Sequence, residues 1–173
     1  MSQDRSTRRI RLGMVGGGEG SFIGAAHRIA ARLDDQFELV AGALSSTPAR
    51  AHASAAALHI APERSYADYA EMARAEARRP DGIDAVAIVT PNHLHVPVAR
   101  AFVEQGIHVI CDKPLATSLA DAEALAQRVR ERGVLFLLTH TYSGYPMVRQ
   151  ARELVAEGAI GEVRIVQVEY AQD

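Results

Sequence analysis

The stretch GMVGGGEGSFIGAAHRIA, residues 13–30, joins a short apolar strand to a helix through a turn that is rich in glycine. Glycines at such a turn let backbone N–H groups approach a pyrophosphate, which the positive end of the helix dipole then stabilises. Gly24, Ala25 and Ala26 are small enough for the helix to lie close to a sheet. We therefore predict a nucleotide-binding turn, with a purely structural turn as the alternative. The spacing is irregular, because five residues separate Gly18 from Gly24 where the usual fingerprint has two.

Outside this stretch, apolar runs of strand length alternate with longer stretches of helical periodicity. This alternation is typical of βαβ units that build a parallel sheet. The predicted strands are Ile10–Val15, Phe37–Leu44, Ala85–Thr90, Ile107–Cys111, Leu135–Leu138 and Val163–Tyr170. The predicted helices are Ile23–Leu33, Pro48–Leu58, Tyr66–Arg78, His95–Gln105, Leu119–Arg132 and Met147–Glu157. The predicted class is α/β, with a Rossmann-type doubly wound parallel sheet.

The last predicted strand, Val163–Tyr170, differs from the others because its apolar and polar residues roughly alternate. Such a pattern indicates a strand with one packed face and one wet face. We interpret it as the first strand of a second α/β domain whose remainder the chain does not contain. The predicted organisation is a flexible tail at residues 1–9, a dinucleotide-binding Rossmann domain at 10–158, and the start of a C-terminal substrate domain at 159–173.

The composition favours a small-molecule ligand over a macromolecular partner. The 173 residues carry a formal net charge of −2, which gives no basic field to attract nucleic acid or an anionic membrane. No apolar run approaches the ~20 residues that cross a bilayer, and the polar N-terminus lacks the apolar stretch of a signal peptide. The single cysteine, Cys111, cannot form an internal disulfide, which fits a reducing cytoplasm. We expect a cytoplasmic protein that binds neither nucleic acid nor membrane.

The end of the second predicted strand bears on the choice of cofactor. In dinucleotide-binding folds an acid commonly lies here and binds the adenosine ribose, whereas this sequence has Ser45, Ser46 and Thr47. No carboxylate in this segment would repel a 2′-phosphate, and Arg50 is in reach. Both NAD and NADP therefore stay open, and we expect NADP to bind at least as well as NAD. The alternative is that the three hydroxyl residues only cap the next helix.

Two further motifs lie at the ends of consecutive predicted strands. Thr90, Pro91 and Asn92 follow one strand, and Asp112 and Lys113 follow the next. Because the carboxyl ends of parallel strands meet at one edge of an open sheet, both motifs should face the same crevice. A lysine there can donate to a substrate hydroxyl or carbonyl and stabilise charge that develops on oxygen. The alternative is that Asp112 and Lys113 are solvated residues at a strand end.

The histidines and the cysteine near these motifs do not indicate a metal site. His93 and His95 are two positions apart, but no nearby cysteine or third histidine completes a ligand set. We expect no metal, and we interpret His95 as a hydrogen-bonding or packing residue beside the crevice. Asn92 is placed to cap the following helix. Cys111 ends an apolar strand, so we predict a buried, inert thiol and not a nucleophile.

Three segments together resemble the N-terminal domain of the Gfo/Idh/MocA oxidoreductases, the family of glucose–fructose oxidoreductase and inositol dehydrogenase. They are the glycine turn followed by Ala26-His27, the stretch TPNHLH at 90–95, and the stretch GIHVICDKPL at 106–115. The resemblance extends from Ile10 nearly to the end of the chain. It implies a Rossmann domain that binds NAD or NADP, and a second domain that helps to bind sugars, inositols or related polyols.

The resemblance also implies site residues. Lys113 would be the catalytic residue of this domain and would touch both the cofactor ribose and the substrate; the Lys113–Pro114 bond is cis in some relatives. Glycine-turn residues would hold the pyrophosphate, Ser45 and Ser46 would face the adenosine ribose, and the segment after the third strand would line the nicotinamide. The full predicted cofactor-binding set is Gly16, Gly18, Ser21, Phe22, Ile23, Ser45, Ser46, Arg50, Thr90, Pro91, Asn92, His95, Asp112 and Lys113.

The sequence departs from the family pattern in three ways. Asp112 replaces the usual glutamate, and residues 19–23 make the glycine loop three residues longer than the simple fingerprint. The acid/base histidine and the supporting aspartate of the family lie in its second domain, so we expect this chain alone to bind cofactor without turnover. The whole protein is expected to be a homo-oligomer and this chain a monomer. The alternative function is a non-catalytic dinucleotide-binding regulatory module, and a methyltransferase is a weaker one.

Overall fold

The computed structural model describes residues 8–171, which contain a five-stranded parallel sheet with helices on both faces. The strands are β1 (Ile10–Gly16), β2 (Phe37–Ala43), β3 (Ala85–Val89), β4 (His108–Cys111) and β5 (Phe136–Leu138). The helices are α1 (Phe22–Leu33), α2 (Pro48–Ala57), α3 (Tyr69–Arg78), α4 (His95–Val103), α5 (Leu119–Arg132) and α6 (Pro146–Ala156). The strand order β2-β1-β3-β4-β5 confirms the predicted Rossmann-type α/β class. Within the described residues, no helix combines the length and the apolar character needed to cross a bilayer.

Every residue of β3 is buried, and its side chains alternate between the two faces of the sheet. Val86 and Ile88 pack into the core on one face, together with Phe102 of α4. Ala87 packs into the core on the other face, together with Met14 of β1. A strand that is covered on both faces needs an apolar side chain at every position, which explains the continuous apolar run in the sequence of β3.

The strand β1 lies between β2 and β3, so the strand order reverses beside it. At such a point the connections leave toward opposite faces, and a crevice opens outside the carboxyl ends of the strands. Gly16 at the end of β1 and Thr90 after β3 border this crevice. The topology alone therefore brings two of the predicted motifs together.

The helix α3 begins later than the sequence analysis predicts. The predicted start was Tyr66, but the Asp68 carboxylate accepts a hydrogen bond from the backbone N–H of Glu71 at 2.7 Å, and α3 begins at Tyr69. An aspartate in this position satisfies a backbone donor that the helix itself leaves free, so it sets the start of the helix. The hydrophobic periodicity continues upstream of the cap, which is why it gave the wrong boundary.

A buried ion pair fixes the segment that leads into α3. The Arg64 guanidinium donates to both carboxylate oxygens of Glu76, at 3.1 and 2.5 Å. The Tyr66 hydroxyl and the backbone N–H of Ile83 also donate to this carboxylate, at 2.9 and 3.2 Å. Burial, followed by the hydrogen bond to Glu76, raises the pKa of Tyr66 to about 12. Because removal of one partner leaves the other charge buried without compensation, the network holds this segment in one conformation.

The predicted strand Val163–Tyr170 is wrong, since no strand forms there in the described chain. Its apolar side chains are exposed, and Ile165 keeps 86% of its accessible surface. A β-strand is stabilised by hydrogen bonds to a neighbouring strand, and within residues 8–171 no strand pairs with this segment. An alternating pattern shows which side chains would share a face, and it does not show that a partner is present.

The chain divides into two units, one that ends at Thr139 and one that begins at His140. The second unit contains α6, none of whose residues is buried. The division therefore comes before α6, whereas the sequence analysis assigns residues 10–158 to one domain. The apolar face of α6 predicts that the helix packs against something, but it does not indicate which of the two units contains the helix.

The predicted N-terminal tail, residues 1–9, belongs to the described residues only from Arg8 onward. Arg8 donates to both carboxylate oxygens of Asp84, at 2.6 and 2.8 Å. Arg9 donates to the Asp35 carboxylate at 2.7 Å. These ion pairs hold the side chains of Arg8 and Arg9 in the structure, and the flexibility of the tail stays a prediction. The rest of the predicted tail, residues 1–7, lies outside the described chain.

Asp84 should make the stability of the fold depend on pH. The hydrogen bond from Arg8, with a further one from the backbone N–H of Arg11 at 2.8 Å, lowers the pKa of Asp84 to about 2. Because this pKa is higher in the unfolded chain, the stabilisation is present above about pH 4 and is lost as the pH falls through about 2. We expect Asp84→Asn to lower the free energy of unfolding by about 1–2 kcal/mol at pH 7. Urea denaturation from pH 7 to pH 2 measures this difference.

The matched control for this prediction is Asp35→Asn, which breaks an exposed ion pair. Its side chain is 73% exposed, so we expect a change in the free energy of unfolding below about 0.5 kcal/mol. A destabilisation by Asp84→Asn that stays the same at all pH values would contradict the role given to the carboxylate.

Candidate cofactor-binding site

A cleft of about 790 Å³ opens at the carboxyl ends of β1, β2 and β3. Its walls are the glycine turn after β1, the segment after β2, residues 67–69 and the segment after β3. It brings together the predicted residues Gly16, Gly18, Ser21, Ser45, Ser46, Arg50, Thr90 and Pro91. The predicted residues that do not line it are Phe22, Ile23, Asn92, His95, Asp112 and Lys113. Phe22 instead points into solvent, with 87% of its surface exposed.

The glycine turn lies directly against the first turn of α1. Gly17 has a φ of +74°, a left-handed conformation that a side chain disfavours. A Cβ atom at Gly24 would lie 2.5 Å from the Gly17 Cα, closer than real Cβ atoms come. Ser21 caps the helix, and its Oγ accepts a hydrogen bond from the Gly24 N–H at 3.2 Å. The N-terminus of α1 is thereby held at the cleft with its remaining N–H groups available.

The lengthened part of the glycine loop is anchored on both sides. The Gly18 N–H donates to the Leu44 carbonyl at 3.2 Å, which ties the loop to the end of β2. The Glu19 N–H donates to Ser54 Oγ of α2 at 3.0 Å. The irregular glycine spacing therefore belongs to an ordered loop. Ser54 was not predicted, because a serine within an alanine-rich helix gives no indication of a partner on a distant turn.

The segment after β2 supplies hydroxyls and a cation. The Thr47 N–H donates to Ser45 Oγ at 3.1 Å, so Ser45 supports the turn while it lines the cleft. Arg50 is exposed, and its guanidinium has no hydrogen bond or ion pair with residues 8–171. Asp68 also lines the cleft and was missed. It comes from a loop beyond α2, so no local pattern links it to the end of β2.

The polar groups of the cleft fit a phosphate-containing cofactor. Thr90 Oγ1 is buried and has no hydrogen-bond partner among the described residues. Buried hydroxyls are seldom left unpaired, so this oxygen marks a position for a ligand. At Gly18 a Cβ would lie 2.7 Å from the Leu44 carbonyl oxygen, so this position of the turn has no room for a side chain. The first turn of α1 carries no acidic side chain, which leaves its positive dipole end free to attract an anion.

The residues after β3 differ from their predicted arrangement at two positions. Asn92 begins a short 3-10 turn, Asn92–Leu94, and makes no side-chain cap to α4, so the predicted cap is wrong. His95 is 1% exposed, and its ring lies between two backbone carbonyls. A buried hydrogen-bonding role for His95 agrees with the sequence interpretation. His95 does not line the cleft, so the geometry does not support the predicted direct contact with a cofactor.

Asp112 and Lys113 follow β4, and their side chains have different surroundings. The Asp112 carboxylate accepts a hydrogen bond from Thr139 Oγ1 at 2.8 Å. The backbone N–H of Asp112 donates to the Ile88 carbonyl at 3.0 Å. Lys113 is exposed, its ammonium group has no partner among the described residues, and its bond to Pro114 is cis. Asp112 is therefore turned toward the end of β5. The partner Thr139 was missed, because the pairing joins adjacent strands that are distant in sequence.

The pKa values of Cys111 and His27, near the end of β4, are shifted by burial and by the Asp112 carboxylate. Burial raises the pKa of the Cys111 thiol to about 12, and Asp112 adds to this rise. The thiol is fully buried, as predicted for an inert cysteine. Burial lowers the pKa of His27, and the nearby Asp112 carboxylate opposes that change. Asp112 therefore acts electrostatically on α1 as well as on its own strand.

Comparison with protein families supplies independent evidence for the family to which the chain belongs. A family model described as "Oxidoreductase family, NAD-binding Rossmann fold", GFO_IDH_MocA, matches residues 10–140. The chain belongs to the Gfo/Idh/MocA family. The match includes the glycine turn and both strand-end motifs. It confirms the predicted family and shows that the chain contains the NAD-binding domain of an oxidoreductase.

Individual relatives agree with this assignment. Levoglucosan dehydrogenase of Pseudarthrobacter phenanthrenivorans is 34% identical over 169 residues, which are 95% of this chain and 41% of that protein. An oxidoreductase structure from Sinorhizobium meliloti is 62% identical with a TM-score of 0.87, covering 91% of this chain and 44% of that one. An inositol dehydrogenase homolog from Azotobacter vinelandii, complexed with NADH and myo-inositol, is 43% identical with a TM-score of 0.88, covering 91% and 42%. The chain thus spans about two fifths of the length of these relatives.

Proposed function

We propose that this chain is the cofactor-binding domain of an NAD(P)-dependent oxidoreductase that transfers a hydride between nicotinamide and a sugar, an inositol or a related polyol. The observation that carries the proposal is the unpaired, buried Thr90 hydroxyl in a cleft that begins at a glycine turn. Lys113 lies at the end of the adjacent strand. The names of the relatives support the substrate class, since one is a levoglucosan dehydrogenase and another is complexed with myo-inositol.

In this proposal the nicotinamide, when bound, supplies or accepts the hydride. The N–H groups of the first turn of α1, together with those of the glycine turn that are not bonded within the chain, bind the pyrophosphate. The hydroxyls of Ser45 and Ser46 bind the adenosine ribose. The Thr90 hydroxyl, which has no partner in the described residues, makes a hydrogen bond to the nicotinamide half of the cofactor. Lys113 donates to the substrate oxygen and stabilises the negative charge that develops there.

The composition of the chain supports a specific role for Lys113. It is the only lysine in the 173 residues, and the other 18 of the 19 basic side chains, counted without histidine, are arginines. Arginine is a broad planar donor that stays charged, whereas lysine is a compact donor on a flexible stem. Lys113 is therefore the one position in the sequence that offers a compact ammonium donor.

We further propose that NADP binds at least as well as NAD, because Arg50 is a free cation beside the hydroxyls after β2. Fluorescence titration of the chain with NADPH and NADH tests both the site and the preference. We expect saturable binding of both. Arg50→Ala should raise the dissociation constant of NADPH about tenfold and that of NADH less than about twofold, because only NADPH has the 2′-phosphate.

The matched control is Arg74→Ala, which removes an exposed arginine of α3 that has no ion pair among the described residues and does not line the cleft. It should change neither dissociation constant. If neither dinucleotide binds, the proposed cofactor site is wrong. If NADH binds much more tightly than NADPH, only the proposed preference is wrong.

The whole protein's properties are proposals, because the chain spans about two fifths of its relatives. We propose that the chain alone binds cofactor without turnover, since the resemblance assigns proton transfer to the second domain. A homo-oligomeric whole protein, a monomeric chain and a cytoplasmic location stay predictions.

A further inference from the structure

His95 lies between the two loops that carry the proposed nicotinamide and substrate groups. It is the first residue of α4 and is 1% exposed. Its Nδ1 is 2.6 Å from the carbonyl oxygen of Pro114, in the loop after β4. Its Nε2 is 3.0 Å from the carbonyl oxygen of Thr90, in the loop after β3. The buried His95 ring therefore contacts the backbone of Pro114, which follows Lys113, and the backbone of Thr90, whose hydroxyl is unpaired.

The contact with Pro114 fixes the role of the first ring nitrogen. A carbonyl oxygen only accepts hydrogen bonds, so we assign a hydrogen to Nδ1, the ring nitrogen 2.6 Å from the Pro114 carbonyl oxygen. The ring also donates to the Thr90 carbonyl when Nε2 carries a hydrogen. The Nδ1–H bond is the shorter of the two and leads directly to the Lys113–Pro114 backbone.

Lys113 has little else to hold it. Its side chain is exposed and has no hydrogen bond or ion pair within residues 8–171. Pro114 has no N–H to contribute, so its carbonyl is the only backbone hydrogen-bonding group of that residue. The place of the Lys113 ammonium group relative to the cleft therefore depends on how the backbone of this loop is fixed.

We propose that His95 is a positioning residue, whose Nδ1–H holds the Pro114 carbonyl and so sets Lys113 relative to Thr90 and the cofactor cleft. The consequence for cofactor rests on the proposed function, whereas the coupling between His95 and Lys113 does not. His95 touches neither cofactor nor substrate in this proposal. It acts through the backbone of the two loops.

Two isosteric variants separate the two hydrogen bonds. In His95→Asn the amide nitrogen can take the place of Nδ1 and donate to Pro114, but it cannot reach Thr90. In His95→Gln the amide nitrogen can take the place of Nε2 and donate to Thr90, but not to Pro114. His95→Leu removes both donors, and thermal unfolding of all three variants shows which of them fold.

The first readout uses the single lysine and needs no cofactor. Growth on ¹⁵N-lysine labels one backbone amide, so a proton–nitrogen correlation spectrum of the chain contains one lysine peak, that of Lys113. We expect His95→Asn to leave this peak in place, and His95→Gln to move or broaden it. If both variants leave the peak unchanged, or if His95→Gln preserves it and His95→Asn does not, the proposal is overturned.

The second readout is the dissociation constant of NADH, measured with Lys113 present and in the Lys113→Ala background. We expect His95→Gln to raise this constant about fivefold with Lys113 present and less than about twofold in Lys113→Ala, as for one lost hydrogen bond. His95→Asn should stay within about twofold in both. An equal loss in both backgrounds would show a general structural role and overturn the proposal. Failure of every variant to bind NADH would contradict the proposed function, and the lysine peak would still decide the coupling.

Discussion

Replacement of Lys113 by alanine is expected to lower the turnover number about 10²–10³-fold in a protein that joins this chain to a second domain of the kind its relatives have. The reason is that the substrate oxygen would lose the donor that stabilises its developing charge, and no other lysine in the chain could replace it. The dissociation constant of NADH should change less than about tenfold, because most cofactor contacts lie at the glycine turn and after β2. Steady-state kinetics with myo-inositol and levoglucosan, together with NADH titration, measure the two quantities separately.

Lys113→Arg is the companion variant, since it keeps the positive charge and changes only its shape. We expect it to recover a small part of the lost turnover, because the planar guanidinium cannot occupy the place of the compact ammonium group. Arg74→Ala again serves as the control for loss of an exposed cation. Unchanged turnover in Lys113→Ala would remove this residue from the mechanism and leave the cleft as a binding site only.

Gly24→Ala is expected to destabilise the chain by about 3 kcal/mol, although alanine is favoured over glycine in a helix by about 1 kcal/mol. The new Cβ would lie 2.5 Å from the Gly17 Cα and 2.6 Å from its carbonyl oxygen, and both are backbone atoms that cannot rotate away. The helix would be forced off the turn, and the N–H groups that should bind the pyrophosphate would separate. We therefore also expect NADH binding to weaken at least about tenfold. Urea denaturation and fluorescence titration test the two effects.

Gly144→Ala is the control for this variant, because a Cβ at that position would meet no atom within 4 Å. It should change the free energy of unfolding by less than about 0.5 kcal/mol and leave NADH binding unchanged. If Gly24→Ala is as stable as the parent chain, α1 does not need its close approach to the glycine turn.

The sheet and the cleft could be predicted because they depend on patterns that are local in sequence. β3 is a continuous apolar run, and β1 and β4 are apolar apart from Arg11 and His108, because strands covered on both faces have few polar positions. The ends of parallel strands meet at one edge whatever their side chains, so the ends of β3 and β4 could be placed side by side, but the prediction that Asp112 and Lys113 line the same cleft as Thr90 is not supported. The start of α2 at Pro48 could be predicted because proline is favoured at the first position of a helix, a preference that depends only on that helix.

The remaining features could not be predicted because they join segments that no local pattern connects. Ser54 meets the glycine loop, and Thr139 meets Asp112, only after the strands have been ordered. The orientation of the His95 ring depends on two carbonyls from different loops. The wrong prediction of a strand at Val163–Tyr170 has the same cause. Strand pairing requires two segments, and the alternating pattern describes only one of them.

Because Thr139 donates a hydrogen bond to Asp112, we expect positions 139 and 112 to covary among related sequences. Aspartate is one methylene shorter than the glutamate that the family resemblance implies at this position, and its carboxylate accepts a hydrogen bond from a hydroxyl just after the neighbouring strand. Loss of the Thr139 hydroxyl alone would leave the half-buried Asp112 carboxylate without this hydrogen-bond donor. Replacement of Asp112 by glutamate alone would push the longer side chain against the Thr139 hydroxyl. Lineages that carry the shorter acid should therefore keep serine or threonine at position 139, so that the two residues change together or not at all.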